Sequence, residues 1–203
     1  MQKTNREFQN WVDLRENVYT KSLLTKGVKE TRRKCFISYH HADQAEVEQF
    51  IEQFEDVFIP KVLGVTETDD FIDSTNTDYI MDRIREKYLA GSTVTIVLIG
   101  KCTWSRRYVD WEIFSTLRDN KVDKRGGLLA ITLPSVADYK ERKLPERLQD
   151  NVNDSALYAR WWKYPQSSEG LKKMITEAFD ARESKSSLIV NNRPRKTYNS
   201  TCP

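Results

Sequence analysis

The stretch from Thr93 to Leu117 is the most informative part of the sequence, and it reads TVTIVLIGKCTWSRRYVDWEIFSTL. Its first seven residues are almost continuously apolar, which is typical of a central strand in a parallel sheet buried on both faces. After Ser105 the pattern becomes helical, with Val109 and Ile113 on one face. A buried strand followed directly by a helix predicts one βα unit of an α/β fold.

One acid of this helix, Glu112, has no basic residue three or four positions away. The residues at those spacings are Tyr108, Val109, Ser115 and Thr116. If the helix begins at Ser105, Glu112 lies about 10 Å further along, too far to stabilise the first turn. Asp110, by contrast, follows Arg106 and Arg107 at helical spacing. A carboxylate with no local partner indicates a functional residue, and the alternative is a solvated surface acid.

Strands and helices alternate on both sides of this unit, which predicts parallel strands joined by crossovers. The predicted strands are 35–39, 59–65, 93–99, 128–133 and 157–162. Pro60 places the second strand at a sheet edge, and the half-polar fifth strand is another edge. The sequence therefore predicts a flavodoxin-like three-layer sandwich with a five-stranded parallel sheet of order 2-1-3-4-5. Asp43 and Glu46 match a capping box at the start of the first crossover helix.

The strand order also predicts where a ligand binds. In open parallel sheets the binding crevice lies beyond the carboxyl ends of the strands where the order reverses. Here that point lies between the first and third strands. The loop after Ser38, the loop after Gly100 and the Glu112 helix should therefore surround one crevice.

Composition bounds the class of protein. The chain has 203 residues, 38% hydrophobic and 31% charged, with a net charge of +3. These values predict one domain with tails, and they argue against nucleic acid as the main partner. No segment resembles a signal peptide or a membrane helix, and the three cysteines form no pattern, so we expect reduced thiols, a cytoplasmic location and no membrane partner. Residues 1–31 form a predicted extension with an amphipathic helix, 32–183 the domain, and 184–203 a flexible polar tail.

Several other chemistries are disfavoured. The seven glycines form neither GxxxxGK[ST] nor GxGxxG, which argues against P-loop and dinucleotide-binding proteins. His40 and Cys102 lack anything to orient a nucleophile–base pair. The residues after strands one and three do not match a response-regulator receiver. A metal site is not expected, because no known ligand spacing fits the available side chains, which are His40, His41, Asp43, Asp69, Asp70 and Cys102.

Two motifs together resemble one family. The strand end Phe36-Ile37-Ser38-Tyr39 and the helix segment Tyr108-Val109-Asp110-Trp111-Glu112 are similar to the TIR-like domains of bacterial Thoeris anti-phage systems, the ThsB family. The resemblance covers roughly residues 33–181. TIR domains carry a Trp-Cys-x-x-Glu pattern after a Ser, and Tyr108 and Val109 replace its first two residues here. The loop after strand two lacks the Arg-Asp-x-x-Pro-Gly pattern of scaffolding TIR domains, which favours the enzyme branch.

The resemblance implies cleavage of the nicotinamide–ribose bond of NAD, with NAD as substrate and no separate cofactor. It implies Glu112 as the catalytic residue, with Ser38, Tyr39, His40 and Tyr108 lining the NAD site. The product would be a cyclic ADP-ribose-type signal that activates a separate effector protein after a phage-derived trigger. The loop Thr66–Thr77 would close over the site.

Two other functions stay open. The chain would otherwise be a non-catalytic sensing or protein-interaction module, as the amphipathic N-terminal stretch suggests, or an enzyme that transfers ribose from nucleosides. The sequence leaves the cyclic isomer, the trigger and the oligomeric state open.

Overall fold

The structure is a computed structural model that describes residues 32–62, 89–119, 124–152 and 157–203. Three predicted features lie outside these ranges. They are the N-terminal extension 1–31, the loop Thr66–Thr77 and the helix through Ile80 and Tyr88.

Five parallel strands form one sheet in the order β2-β1-β3-β4-β5, which confirms the predicted flavodoxin-like arrangement. The strands are β1 (Arg33–Ser38), β2 (Phe58–Val62), β3 (Val94–Ile99), β4 (Gly127–Thr132) and β5 (Arg160–Trp162). The described helices are α1 (Gln44–Gln53), α2 (Arg107–Thr116), α3 (Glu146–Val152) and α4 (Ser168–Ser184). The edge strand β5 is three residues shorter at its start than the sequence predicted.

The helices cover both faces of the sheet, so the molecule has three layers. Residues 96, 98, 129 and 131 face α1 and α4 in one apolar cluster. The alternate residues 97, 99, 128 and 130 face α2 and α3 in the other cluster. This alternation follows from the two-residue period of a strand.

The same period positions the end of β1. Ile37 packs in the cluster with α1 and α4. Its neighbour Ser38 therefore points to the opposite face, where α2 lies. Ser38 pairs with Val97 of β3, so its hydroxyl lies at the carboxyl ends of the two central strands.

The predicted capping box at the start of α1 is wrong. Asp43 occupies the position before the helix but makes no side-chain capping hydrogen bond. Its carboxylate accepts from the Thr103 hydroxyl instead (3.4 Å), and Glu46 Oε2 accepts from the Ser135 amide (3.1 Å). Both carboxylates therefore accept hydrogen bonds from distant parts of the chain, not from the first turn of α1.

The C-terminal residues, which composition predicted to be flexible, lie along α2 and α3. Asn151 of α3 accepts from the Val190 amide and donates to the Val190 carbonyl (3.0 and 2.8 Å). The expectation of three reduced thiols is also wrong, because Cys102 and Cys202 form a disulfide and only Cys35 is free. Among the described residues, no helix has the length and apolar character needed to cross a membrane.

Candidate functional site

The centre of the site is a contact between Ser38 and Glu112. The Ser38 hydroxyl donates a hydrogen bond of 2.5 Å to Glu112 Oε2, and the two residues are 74 positions apart in the chain. Both are buried, with Glu112 only 5% exposed. The acid without a basic neighbour on its own helix thus has a partner on β1, on the face of the sheet where α2 lies.

Burial changes the acidity of Glu112. It raises the pKa of this carboxyl from 4.5 to about 8, and the Ser38 hydrogen bond opposes the shift only in part. Desolvation penalises the charged form, whereas a donated hydrogen bond favours it. In the free protein at neutral pH the carboxyl is therefore mostly protonated, and a cation placed beside it would favour the carboxylate.

Packing and two threonines hold Glu112 in this position. Val109 and Ile113 flank it on α2 and pack into the apolar cluster under the helix. In the last turn, Thr116 Oγ1 lies 2.8 Å from the Glu112 carbonyl and 2.7 Å from Thr95 Oγ1 of β3. The helix is therefore fixed on the sheet on both sides of the acid.

The structure places the other predicted site residues at different distances from this centre. Tyr39 is half-buried, and burial together with the Glu112 carboxyl raises its pKa well above the usual range. His40 is half-buried in the loop after β1, where its carbonyl accepts from the Asp43 amide (2.8 Å). Tyr108 lies one turn before Glu112, but its ring packs edge-on against Trp111 and its hydroxyl accepts from Arg107. Tyr39 is thus close enough to interact with Glu112, whereas the contacts of Tyr108 are with its helical neighbours.

A second carboxyl group, that of Asp43, connects the loops that follow β1 and β3. Asp43, in the loop after β1, lies directly against Gly100 at the end of β3, where an added Cβ would come within 2.1 Å of Asp43 Oδ2. Thr103 connects the two by accepting from the Gly100 amide (2.9 Å) and donating to Asp43. Burial, and then the nearby Glu46, raise the pKa of Asp43 to about 6.

Asp110 has a different partner from the one its local sequence indicates. The described ion pair of Asp110 is with Arg147 of α3 (2.9 Å), which is fully buried, rather than with Arg106 or Arg107. The Lys196 amide donates a further hydrogen bond of 2.8 Å to the same carboxylate. Asp110 therefore joins α2, α3 and the C-terminal residues, while Glu112 faces β1.

Comparison with known protein families decides the identity. The model of the family described as "Thoeris protein ThsB, TIR-like domain" matches residues 36–138, slightly more than half of the chain. The chain belongs to this family. A search of curated proteins found no significant match.

Membership of the ThsB family supports a role in anti-phage defence. The match includes the last three residues of β1 with Ser38, the Gly100 loop and the whole of α2 with Glu112. The two motifs on which the resemblance rested therefore lie within the family domain, and the structure brings their key residues into contact.

Sequence reasoning missed Thr103, Arg147 and the role of Asp43. Thr103 and Arg147 carry no local pattern, and Arg147 reads as a solvated charge on a short polar helix. The spacing between Asp43 and Glu46 indicates a helix cap and gives no sign of the contact with Thr103. A glycine directly after a buried strand was the one available signal that another chain segment comes close to Gly100.

Proposed function

We propose that this ThsB-family protein cleaves the bond between nicotinamide and ribose in NAD and converts the remainder into a cyclic ADP-ribose-type signal for a separate effector. The observation that carries the proposal is the buried Ser38–Glu112 pair at the carboxyl ends of β1 and β3. Ligand sites of open α/β sheets lie at this position.

A single carboxyl group suits this reaction. Glycosidases need a second one as general acid, because they must protonate the leaving oxygen. The nicotinamide ring of NAD is already cationic, so it leaves as a neutral molecule without a proton. Glu112 then has one task, to stabilise positive charge on the ribose in the oxocarbenium-like transition state.

The raised pKa of Glu112 fits this role. A neutral carboxyl avoids the free-energy penalty of a buried charge while the site is empty. When the cationic nicotinamide ribose lies beside it, the carboxylate becomes the favoured form. Ser38 stabilises that anion through its hydrogen bond, and Tyr39 lies close enough to interact with the same carboxyl group.

Incubating the purified protein with NAD tests the proposal, with products separated and identified by mass spectrometry. A protein that needs a phage-derived trigger forms no product without it, so the assay also includes extract from phage-infected cells. We expect free nicotinamide and a product of cyclic ADP-ribose mass, and we expect Glu112→Gln to lose both.

Glu177→Gln is the matched control, because it makes the same chemical change at a surface acid that pairs with Arg160 on the far side of the sheet. Product formation by Glu112→Gln at the wild-type rate would refute the role of Glu112. An intact protein that forms no product from NAD under any of these conditions would favour a non-catalytic sensing module.

A further inference from the structure

The C-terminal residues 190–203, which we call the strap, contact α2 along its whole length. Four hydrogen bonds join the strap to α2 itself. They run from Asn191 Nδ2 to the Phe114 carbonyl (3.1 Å), from Trp111 Nε1 to the Lys196 carbonyl (2.9 Å), from the Lys196 amide to Asp110 (2.8 Å) and from the Arg107 amide to Asn199 Oδ1 (2.9 Å). A fifth joins the Ser200 amide to the carbonyl of Ser105, which lies just before α2 (2.9 Å). Strap and helix run side by side, so the helix has a second support besides the sheet.

These contacts lie on one face of α2, and Glu112 lies on another. Positions 107, 110, 111 and 114 follow the helical spacing of zero, three, four and seven residues, which puts them on one side. At about 100° per residue, Glu112 lies roughly opposite the middle of that face. The strap therefore contacts the face of α2 opposite Glu112, and the Glu112 side chain points away from the strap towards Ser38.

The strap also completes the first turn of α2. A helix leaves its first amides without partners inside the helix, and Arg106, the residue before α2, supplies no side-chain cap. Asn199 of the strap provides the missing acceptor for the Arg107 amide. The start of the helix that carries Glu112 is thus capped by a residue 92 positions away.

A disulfide fixes the end of the strap beside this cap. Cys202 is bonded to Cys102, which lies between the end of β3 and the start of α2. Both cysteines are half-buried, so a small dithiol can reach the bond. Without this bond, the last five residues of the strap are held mainly by the hydrogen bonds of Asn199 and Ser200.

We propose that the strap positions the Glu112 helix for catalysis and that the Cys102–Cys202 disulfide makes this positioning reversible by thiols. The proposal rests on the NAD-cleaving function proposed above. In the switching step, a dithiol reductant supplies two electrons and two protons, is itself oxidised to a disulfide, and leaves Cys102 and Cys202 as thiols. Reduction releases the strap end, the first turn of α2 frays, and Glu112 loses its fixed position.

The first experiment compares oxidised and dithiothreitol-reduced protein. We expect kcat for NAD to fall roughly tenfold on reduction, because even a 1 Å misplacement of a catalytic group can lower a rate about a hundredfold. KM should change little, since the strap contacts the face of α2 that lies away from Glu112 and Ser38. Reoxidation should restore kcat, and the Cys102→Ser/Cys202→Ser variant should match reduced wild type and ignore dithiothreitol. Cys35→Ala, which removes the buried free thiol, should respond to dithiothreitol as wild type does.

The second experiment tests the cap. Asn199→Ala should lower kcat, whereas Asn199→Asp should restore it, because aspartate keeps an acceptor oxygen and adds a charge favoured at a helix start. Tyr198→Ala is the control, because it changes the neighbouring side chain, which is exposed. Hydrogen–deuterium exchange at the amides of residues 107–110 should rise on reduction, and this readout does not depend on NAD.

The outcomes separate the two proposals. Equal kcat and equal exchange in the oxidised and reduced protein would overturn the strap proposal. Faster exchange on reduction in a protein that never cleaves NAD would support the hold of the strap on α2 and contradict the NAD-cleaving function.

Discussion

Glu112 shows how far one residue can be understood from its neighbours. Its lack of a basic neighbour at helical spacing predicted a special role. In the structure its side chain is buried and accepts a hydrogen bond from Ser38. The same reasoning failed two residues earlier. Asp110 has basic neighbours at the right spacing, yet its carboxylate is bonded to Arg147 of another helix. Local spacing identifies a side chain that needs a distant partner, but it does not show that a side chain with near neighbours uses them.

We expect the rate of NAD cleavage to depend on the ionisation of Glu112. If the carboxylate is the active form, kcat/KM should rise with pH through about 8, because this parameter reports the pKa of the free protein. The midpoint for kcat should lie lower, since the bound cationic ring favours the anion. The measurement is the pH profile of both parameters, and a flat kcat/KM between pH 6 and pH 9 would contradict it.

Ser38→Ala should move that midpoint upward. The Ser38 hydrogen bond favours the carboxylate, and a bond to a charged group is worth about 1.5 kcal/mol or more, or roughly one pH unit. Ser115→Ala, which changes a buried serine on the same helix, should leave the midpoint in place. A midpoint in Ser38→Ala at or below the wild-type value would show that this hydrogen bond does not stabilise the anion.

Glu112 should also make the stability of the fold depend on pH. The folded protein holds this proton more tightly than the unfolded chain does, so unfolded molecules bind fewer protons between pH 4.5 and about 8. The free energy of unfolding should therefore fall across this window by roughly 1.4 kcal/mol per pH unit from this group. Glu112→Gln should resemble wild type near pH 4.5 and be more stable near pH 8, as measured by urea unfolding. Parallel pH dependences of the two proteins would rule out the shift.

At the level of the elements, the loops that follow β1 and β3 depend on each other. The sequence predicted both loops, at the carboxyl ends of β1 and β3, but it assigned Asp43 to the start of α1. In the structure the Asp43 carboxylate instead lies against Gly100 and accepts a hydrogen bond from the Thr103 hydroxyl. A capping pattern describes only contacts within its own helix. The Asp43 carboxylate contacts the loop after β3 because β1 and β3 are neighbours in the sheet.

Gly100→Ala should destabilise the protein by about 1–3 kcal/mol, because the new Cβ would come within 2.1 Å of the Asp43 carboxylate. Adding Gly100→Ala to Asp43→Ala should cost much less, since the obstructing carboxylate is gone. A double-mutant cycle by urea unfolding measures this coupling. Simple additivity of the two substitutions would show that the contact is not close in solution.

At the level of the whole molecule, the buried Asp110–Arg147 pair joins α2, α3 and the strap. Arg147 is fully buried and also donates to the carbonyls of Arg193 and Pro194 (3.0 and 3.1 Å). These bonds satisfy most of the polar groups that the guanidinium brings into the interior. The pair is therefore one of the contacts that hold the C-terminal residues against the domain.

Arg147→Met should lower the free energy of unfolding by about 3–5 kcal/mol, because it leaves the Asp110 carboxylate buried without its cation. Arg160→Met is the matched control, because its ion pair with Glu177 is exposed and should be worth less than about 1 kcal/mol. Urea unfolding of both variants gives the comparison. Equal losses would mean that the buried pair contributes no more than a surface pair.

The order of the five strands and the edge positions of β2 and β5 could be predicted from the sequence, and Glu112 could be singled out as a candidate site residue. Those features follow from apolar runs, a proline and a missing neighbour, all of which act within a few residues. Three contacts became apparent only in the folded protein: Glu112 meets Ser38, Arg147 neutralises Asp110, and Cys102 and Cys202 join the end of the strap to the start of α2. The partners in these contacts are 37 to 100 residues apart. Polar side chains that follow no periodic pattern give no sign in the sequence that they are buried. Their partners depend on which surfaces come into contact when the helices pack on the sheet.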